Sequence, residues 1–256
     1  MKNYPGLFLV FLFICIVKYA GAQSTEYSFQ VVSGFFHFGG KSAVESTDMV
    51  NSFNPYGNKS DLSFGSSFQM QLIEQNRVIC GFQIGYQFFT SRVNTVYTQS
   101  TGHNNFPSST FKEFGEANLS YRYLNLFPYL GRRYTYKKFD FDFVGGIEFG
   151  ITLSKGELTF SNSNRLPNRN PDHPIAFKNP SNVGTPDFNL DVRPAINLTV
   201  YYTRFGISIG YFYGVSNYIS NNEPELSYVD DNSKVYSRML RLGINYRIKM
   251  NPKSER

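Results

Sequence analysis

From residue 26 onward the chain alternates, two residues at a time, between apolar and polar positions, and polar stretches break the alternation into eight segments. A period of two is the signature of strands with differently solvated faces. The first segment spans about Glu26–Phe38, with Phe29, Val31 and Phe35 among its apolar positions. In the second, about Leu62–Glu74, Leu62, Phe64, Phe68, Met70 and Leu72 oppose Ser63, Gly65, Ser67, Gln69 and Gln71. In the third, about Val78–Thr90, Cys80, Phe82, Ile84, Tyr86 and Phe88 alternate with Gly81, Gln83, Gly85 and Gln87. The fourth, about Lys112–Phe127, sets Ala117, Leu119, Tyr121 and Tyr123 against Glu116, Asn118, Ser120 and Arg122. The fifth, about Lys138–Leu153, sets Phe139, Phe141, Phe143, Ile147, Phe149 and Ile151 against Asp140, Asp142, Gly146, Glu148 and Gly150. The sixth (about Asp187–Tyr201), seventh (about Arg204–Val215) and eighth (about Val235–Lys249) repeat the pattern.

The connections carry a second regularity. Long gaps, such as Ser91–Phe111, Ser154–Pro186 and Ser216–Lys234, alternate with short ones at Gln75–Arg77, Pro128–Lys137 and Tyr202–Thr203. Transmembrane barrels have short periplasmic turns and long outer loops in this way, with an even strand number and both termini on the periplasmic side. About 40 apolar residues, many of them Phe or Tyr, lie on the apolar faces. An eight-stranded tube encloses room only for its own side chains or one small ligand. The apolar faces therefore point outward to lipid, and the polar faces line the lumen. Closure also pairs every backbone donor and acceptor, which hydrocarbon cannot do. The expected fold is all-β: an eight-stranded antiparallel transmembrane β-barrel. The rival is a soluble, lipocalin-like barrel with the faces inverted.

Composition adds a location. The 26 Phe and 19 Tyr suit strands and a membrane–water boundary. Lys2, the eleven-residue apolar run Leu7–Val17 and Ala20-Gly21-Ala22 form a basic, apolar and small-x-small sequence, the layout of a cleaved secretory signal. The expected organisation is a signal peptide over 1–22 and a barrel domain over 23–256, placed in the outer membrane of a Gram-negative cell. Loss of Lys2 and Lys18 takes the formal net charge from +6 to +4. That mild, dispersed charge argues against nucleic acid as a partner. Cys15 leaves with the signal, so Cys80 has no intramolecular disulfide partner.

At Tyr123-Leu124-Asn125-Leu126-Phe127-Pro128, followed by Phe141-Asp142-Phe143-Val144-Gly145-Gly146, the chain resembles the PorT-like outer-membrane β-barrel family. The strands Asp187–Arg193, Arg204–Tyr213 and Leu240–Tyr246 are also similar, so the resemblance runs along nearly the whole mature chain. It implies a β-barrel and a link to protein secretion, as for the family's namesake. One departure is the tail: the chain runs past Tyr246 and Ile248 to Met250–Arg256 rather than ending on an aromatic residue.

Candidate chemistry is sparse. His37, His103 and His173 fall at the outer end, where Asp172-His173 beside loop serines would be needed for a hydrolase. Glu223, Glu225, Asp230 and Asp231 are oxygen donors suited to Ca²⁺, in a pattern that equally describes a solvated loop. No cofactor or metal site is expected. The charges assigned to the lumen are Glu116, Arg122, Asp140, Asp142, Glu148, Asp191, Arg193, Arg204, Arg241 and Arg247. They read as a salt-bridge network that fills a narrow barrel, with a polar pathway as the rival. The functional expectation is a non-enzymatic binding or assembly component, with envelope or secretion-system proteins and outer-membrane lipid as partners. The alternatives are a lipid- or peptide-modifying hydrolase and a small pore.

Overall fold

The structure is a computed structural model and describes residues 24–48, 53–101, 109–154, 157–162, 190–219 and 233–249. The expected signal peptide at 1–22, His103, His173, the acidic stretch 223–231 and the tail 250–256 lie outside the described residues. The described strands are β1 (Ser24–Gly39), β2 (Ser46–Asp48), β3 (Lys59–Ile73), β4 (Val78–Thr101), β5 (Ser109–Tyr136), β6 (Phe139–Thr152), β7 (Glu157–Asn162), β8 (Leu190–Tyr202), β9 (Phe205–Tyr213) and β10 (Tyr236–Lys249).

Eight of them close a ring of antiparallel neighbours in the order β1-β3-β4-β5-β6-β8-β9-β10. The seam is β1 against β10, registered from Glu26↔Lys249 to Gly39↔Tyr236. Partner residues traced once around the ring run Tyr136, Phe139, Tyr202, Phe205, Tyr246, Phe29, Phe68, Ile84 and Leu126. The path leaves β5 at 136 and returns at 126, a stagger of ten residues. With standard strand spacings this gives a tilt of roughly 40° and a backbone diameter of roughly 16 Å.

The faces are segregated. Phe29, Val31, Phe64, Phe68, Ile84, Phe143, Ile196, Ile207, Ile209, Leu242 and Ile244 are all exposed on the outside of the ring, Ile207 at 71%. Their alternate neighbours Ser28, Gln30, Ser67, Gln83, Asp142, Thr199, Ser208 and Asn245 are buried inside it. A soluble barrel would have the reverse arrangement. From Phe205 at the start of β9 to Val215, two residues past its end, the exposed band rises about 25 Å at this tilt, the height of a bilayer's apolar layer. The chain is a transmembrane β-barrel.

Three tight turns, at 74–77, 137–138 and 203–204, share one end of the barrel with the start of β1 and the end of β10. Each carries a residue with left-handed backbone: Arg77 (φ 66), Lys137 (φ 53) and Thr203 (φ 56). This is the short-turn end. The strand ends that the long connections join lie at the other, long-loop end.

The structure corrects the sequence reading at β5. The expected ten-residue connection Pro128–Lys137 is strand up to Tyr136, and only Lys137 and Lys138 turn. Pro128, which has no backbone N–H to give, stands opposite Phe82 in β4 without shifting the register. The expected loop Ser91–Phe111 is also largely strand: β4 and β5 pair out to Thr101↔Ser109. This hairpin continues well past the apolar band. There β2 joins β4 in parallel at Ser46–Asp48, and β7 joins β5 at Glu157–Asn162. A four-stranded sheet β2-β4-β5-β7 therefore stands out of the barrel at the long-loop end.

The assignment of faces is also inverted in the fourth segment. Ala117, Leu119, Tyr121 and Tyr123 are buried on the inner side, whereas Arg122 is exposed and Glu116, Asn118 and Ser120 are half-buried on the outer side. Beyond the bilayer the outside is water and the inside is packed protein, so the apolar residues turn inward. Lower on the same strand, Leu124 and Leu130 are exposed outward. The phase of the strand never changes; its surroundings do.

Candidate functional site

The lumen is the most heavily built region of the molecule. Its side chains come from alternate positions of all eight barrel strands and form successive layers. At the short-turn mouth, Arg133 of β5 donates Nη1 and Nη2 to the Glu26 carboxylate of β1 at 2.9 and 2.8 Å. Its Nε and Nη2 reach Asp142 of β6, both at 2.6 Å. Arg247 of β10 donates to Asp140 at 2.7 Å and to the Thr203 carbonyl at 2.7 Å, and more distantly to Glu26 at 3.4 Å. Gln71 donates to both Glu26 and Asp142. Three carboxylates and two guanidiniums thus knit β1, β5, β6 and β10 together.

Above this cluster lies an uncharged layer. Gln30, Ser67, Gln83 and Ser208 hydrogen-bond to one another across β1, β3, β4 and β9. Gln69 donates to the Tyr129 hydroxyl at 2.6 Å. A cavity of about 10 Å³ opens among Gln83, Gln87, Asn125, Glu148 and Arg241, room for a single water.

The second charged cluster sits higher. Glu148 of β6 accepts from Arg193 of β8 at 2.6 Å and from two nitrogens of Arg241 of β10 at 2.8 and 3.0 Å. Arg193 also donates Nε to Asp191 at 2.7 Å. Asp191 accepts from the Tyr218 hydroxyl at 2.7 Å and from Ser237 at 2.6 Å. Two acids balance two arginines, and all four are at most 6% exposed. The arginines lie against rings: Arg193 at 4.9 Å from the Phe89 centroid and 5.1 Å from Tyr123, and Arg241 at 3.8 Å from Phe212. Such stacking suits the weakly hydrated guanidinium. Gly150 faces Arg193, and a Cβ there would meet its Nη2. The absent side chain makes the space for the guanidinium.

An aromatic cap closes the long-loop mouth. Phe36 stacks on Phe89 at 4.9 Å, and Phe38 meets Tyr56 at 5.1 Å and Tyr218 at 4.9 Å edge-on. Tyr56 and Tyr218 come from the connections after β2 and after β9, folded into the mouth. Tyr56 donates to the Tyr218 carbonyl at 3.2 Å, and the Tyr123 and Tyr218 hydroxyls meet at 2.8 Å.

Of the ten lumen charges expected from the sequence, seven are in the lumen: Asp140, Asp142, Glu148, Asp191, Arg193, Arg241 and Arg247. Three are not. Glu116 and Arg122 are on the outer face of the protruding sheet, where they make loose pairs with Arg92 at 3.9 Å and Glu157 at 3.8 Å. Arg204 is exposed in the turn between β8 and β9. The first two follow from the inverted environment of β5, the third from its place beyond the strand end. Glu26 and Arg133 are central to the network, yet absent from that expectation. Their positions were readable: Glu26 has the phase of Ser28 and Gln30, and Arg133 that of Tyr129 and Asn125. Ending the strand at Pro128 hid Arg133. His37 lies at the outer end of β1, 3.2 Å from the Ser60 hydroxyl, away from the lumen. Among the described residues no group of His, Cys, Asp and Glu is arranged to hold a metal ion.

No family model matches the chain, and no curated protein matches it. Among solved structures it is similar to Ail, the attachment invasion locus protein of Yersinia pestis, solved in complex with the heparin analogue sucrose octasulfate. That likeness has 10% identity and a TM-score of 0.33, over 88% of this chain and 99% of that one. It is also similar to the translocator domain of the autotransporter NalP from Neisseria meningitidis, at 9% identity and a TM-score of 0.31, over 94% and 95% of the two chains. The fold and the lumen described above stand on this chain's own strand pairing and side chains.

Proposed function

We propose that this chain is an outer-membrane protein of a Gram-negative envelope that works as a non-enzymatic binding or assembly component. Its contact surface is the sheet β2-β4-β5-β7 at the long-loop end. The observation that carries this reading is the contrast between a filled lumen and a projecting hairpin. A conducting pore needs a water-filled path, whereas here two ion clusters, an amide layer and an aromatic cap occupy the interior. The sheet's outer face offers mixed charge, with Arg92, Arg122, Glu116 and Glu157, the composition of a polar contact surface rather than a lipid-facing one. The resemblance to the PorT-like family adds the finer expectation that the partner belongs to a protein-secretion assembly.

The test is site-specific photo-crosslinking in the native envelope, with the probe at Thr159 of β7 or Arg122 of β5, alongside single-channel recording of the purified barrel. Crosslinks to envelope proteins from those sites, with no current steps, support the proposal. Reproducible current steps would replace it with the pore reading. Crosslinks obtained only from a third probe, at the exposed Thr135 near the short-turn end, would move the contact surface to the other end.

A further inference from the structure

We propose that the short-turn end is a basic collar that selects anionic phospholipid headgroups in the leaflet it faces. The proposal rests on the transmembrane reading of the barrel and on no protein partner. Each of the three tight turns presents cations. Arg77 lies in the β3–β4 turn, Lys137 and Lys138 form the β5–β6 turn, and Arg204 lies in the β8–β9 turn; all are exposed. Arg132 adds a fifth, pointing outward from the last third of β5 and also exposed. Among the described residues none of the five has an acidic partner. The described acids at this end are Glu74 and the lumen groups Glu26, Asp140 and Asp142, the lumen three already held by Arg133 and Arg247. The collar is a surplus of positive charge.

Three features point to lipid. First, the three turns alternate around the ring order, leaving only the β10–β1 seam without a tight turn. The charge encircles the barrel instead of gathering on one side. Second, the cations adjoin outward-facing aromatics at the same end: Tyr134, Tyr136, Phe139, Tyr202 and Phe205 are all exposed. Arg132 lies 5.7 Å from the Tyr134 ring centroid and Lys137 5.3 Å from that of Tyr136. An aromatic belt marks the depth of the headgroups, and long cationic side chains beside it reach the phosphates. Third, Arg77 and Lys137 occupy left-handed backbone positions where glycine or asparagine is locally easier. The side chain present is the costly choice for the turn and the useful choice for a phosphate.

The experiment is native mass spectrometry of the folded full chain in detergent, with equimolar phosphatidylglycerol and phosphatidylcholine added. Expected for the wild type is a preference of about threefold or more for phosphatidylglycerol among retained lipids, falling with added salt. The variant Arg77→Gln/Arg132→Gln/Lys137→Gln/Lys138→Gln/Arg204→Gln, shown to be folded by its heat-modifiable gel band, should retain the two lipids equally. The control Lys41→Gln/Lys234→Gln, at the long-loop end, should keep the preference. An unchanged preference in the collar variant overturns the proposal, as does an equal loss in the control. A collar variant that keeps its lipids but no longer captures an acidic envelope protein also overturns it, and reassigns the collar to that protein. None of these readouts depends on crosslinking from the protruding sheet.

Discussion

Two ion clusters share one lumen but differ in their relation to water. At the short-turn mouth Glu26, Asp140 and Asp142 are tied to Arg133 and Arg247, and Asp140 is 14% exposed at the rim. Higher up, Glu148, Asp191, Arg193 and Arg241 are balanced two against two and roofed by Phe89, Tyr123, Phe212 and Tyr218. The difference follows what lies nearby. The mouth cluster meets solvent at its rim, through Asp140. A cluster walled off by rings has to balance its charge, since an isolated charge there has nowhere to be hydrated.

The sharpest way to break this contrast is Glu148→Ala. It strips Arg193 of one acceptor and Arg241 of its carboxylate. The expected loss is about 3–5 kcal/mol of stability, read as a lower urea midpoint for unfolding from vesicles or micelles. Next is Ile209→Arg, near the middle of the exposed band on β9. A cation facing lipid there is expected to cost about 2–4 kcal/mol, whereas Ser120→Arg, at an outward position of β5 beyond the band, should fold like the wild type. Equal effects of the two would sink the assigned position of the bilayer edge. Asp140→Asn at the mouth should cost about 2 kcal/mol, less than Glu148→Ala because Asp140 lies at the rim, 14% exposed. A loss matching that of Glu148→Ala would erase the distinction between the clusters. Smallest is Arg122→Ala, which removes only a 3.8 Å pair of two largely exposed groups. Less than about 0.5 kcal/mol is expected, and a larger change would mean that Arg122 is tied into the sheet more firmly than that pair suggests.

Most of the barrel was legible in the sequence because a bilayer imposes a simple contrast. Wherever a strand crosses it, as in β1, β3, β6, β9 and β10, alternate residues are sorted into lipid and lumen, and the period survives in the letters. The errors cluster where that contrast ends. In β5 the segment 115–123 has water outside and packed protein inside, so an apolar-out rule read it backward. The strand extensions past Thr90 carry Val and Thr with no lipid-facing stripe, and so resembled a loop. Pro128 resembled a break because its missing N–H argues against a central strand, yet the pairing on both sides keeps register. The short strands β2 and β7 have no amphipathic signal of their own. They exist because the hairpin offers free edges. The positions of the seven charges that lie in the lumen follow from phase alone. Their partner choices, such as Arg133 spanning Glu26 and Asp142, depend on the ten-residue stagger, which no single segment encodes.

The seam between β1 and β10 sets the order of events in biogenesis. Glu26 meets Lys249 only across almost the entire length of the chain, so β1 must wait for β10 before it gains its second neighbour. Until β10 arrives, every partial assembly has two open edges, each a template for pairing with the wrong neighbour. Contacts so distant in sequence also form slowly. A chain truncated before Tyr236 would leave β1 and β9 as unpaired edges, and is expected to persist as a substrate of chaperones and proteases rather than as a smaller barrel.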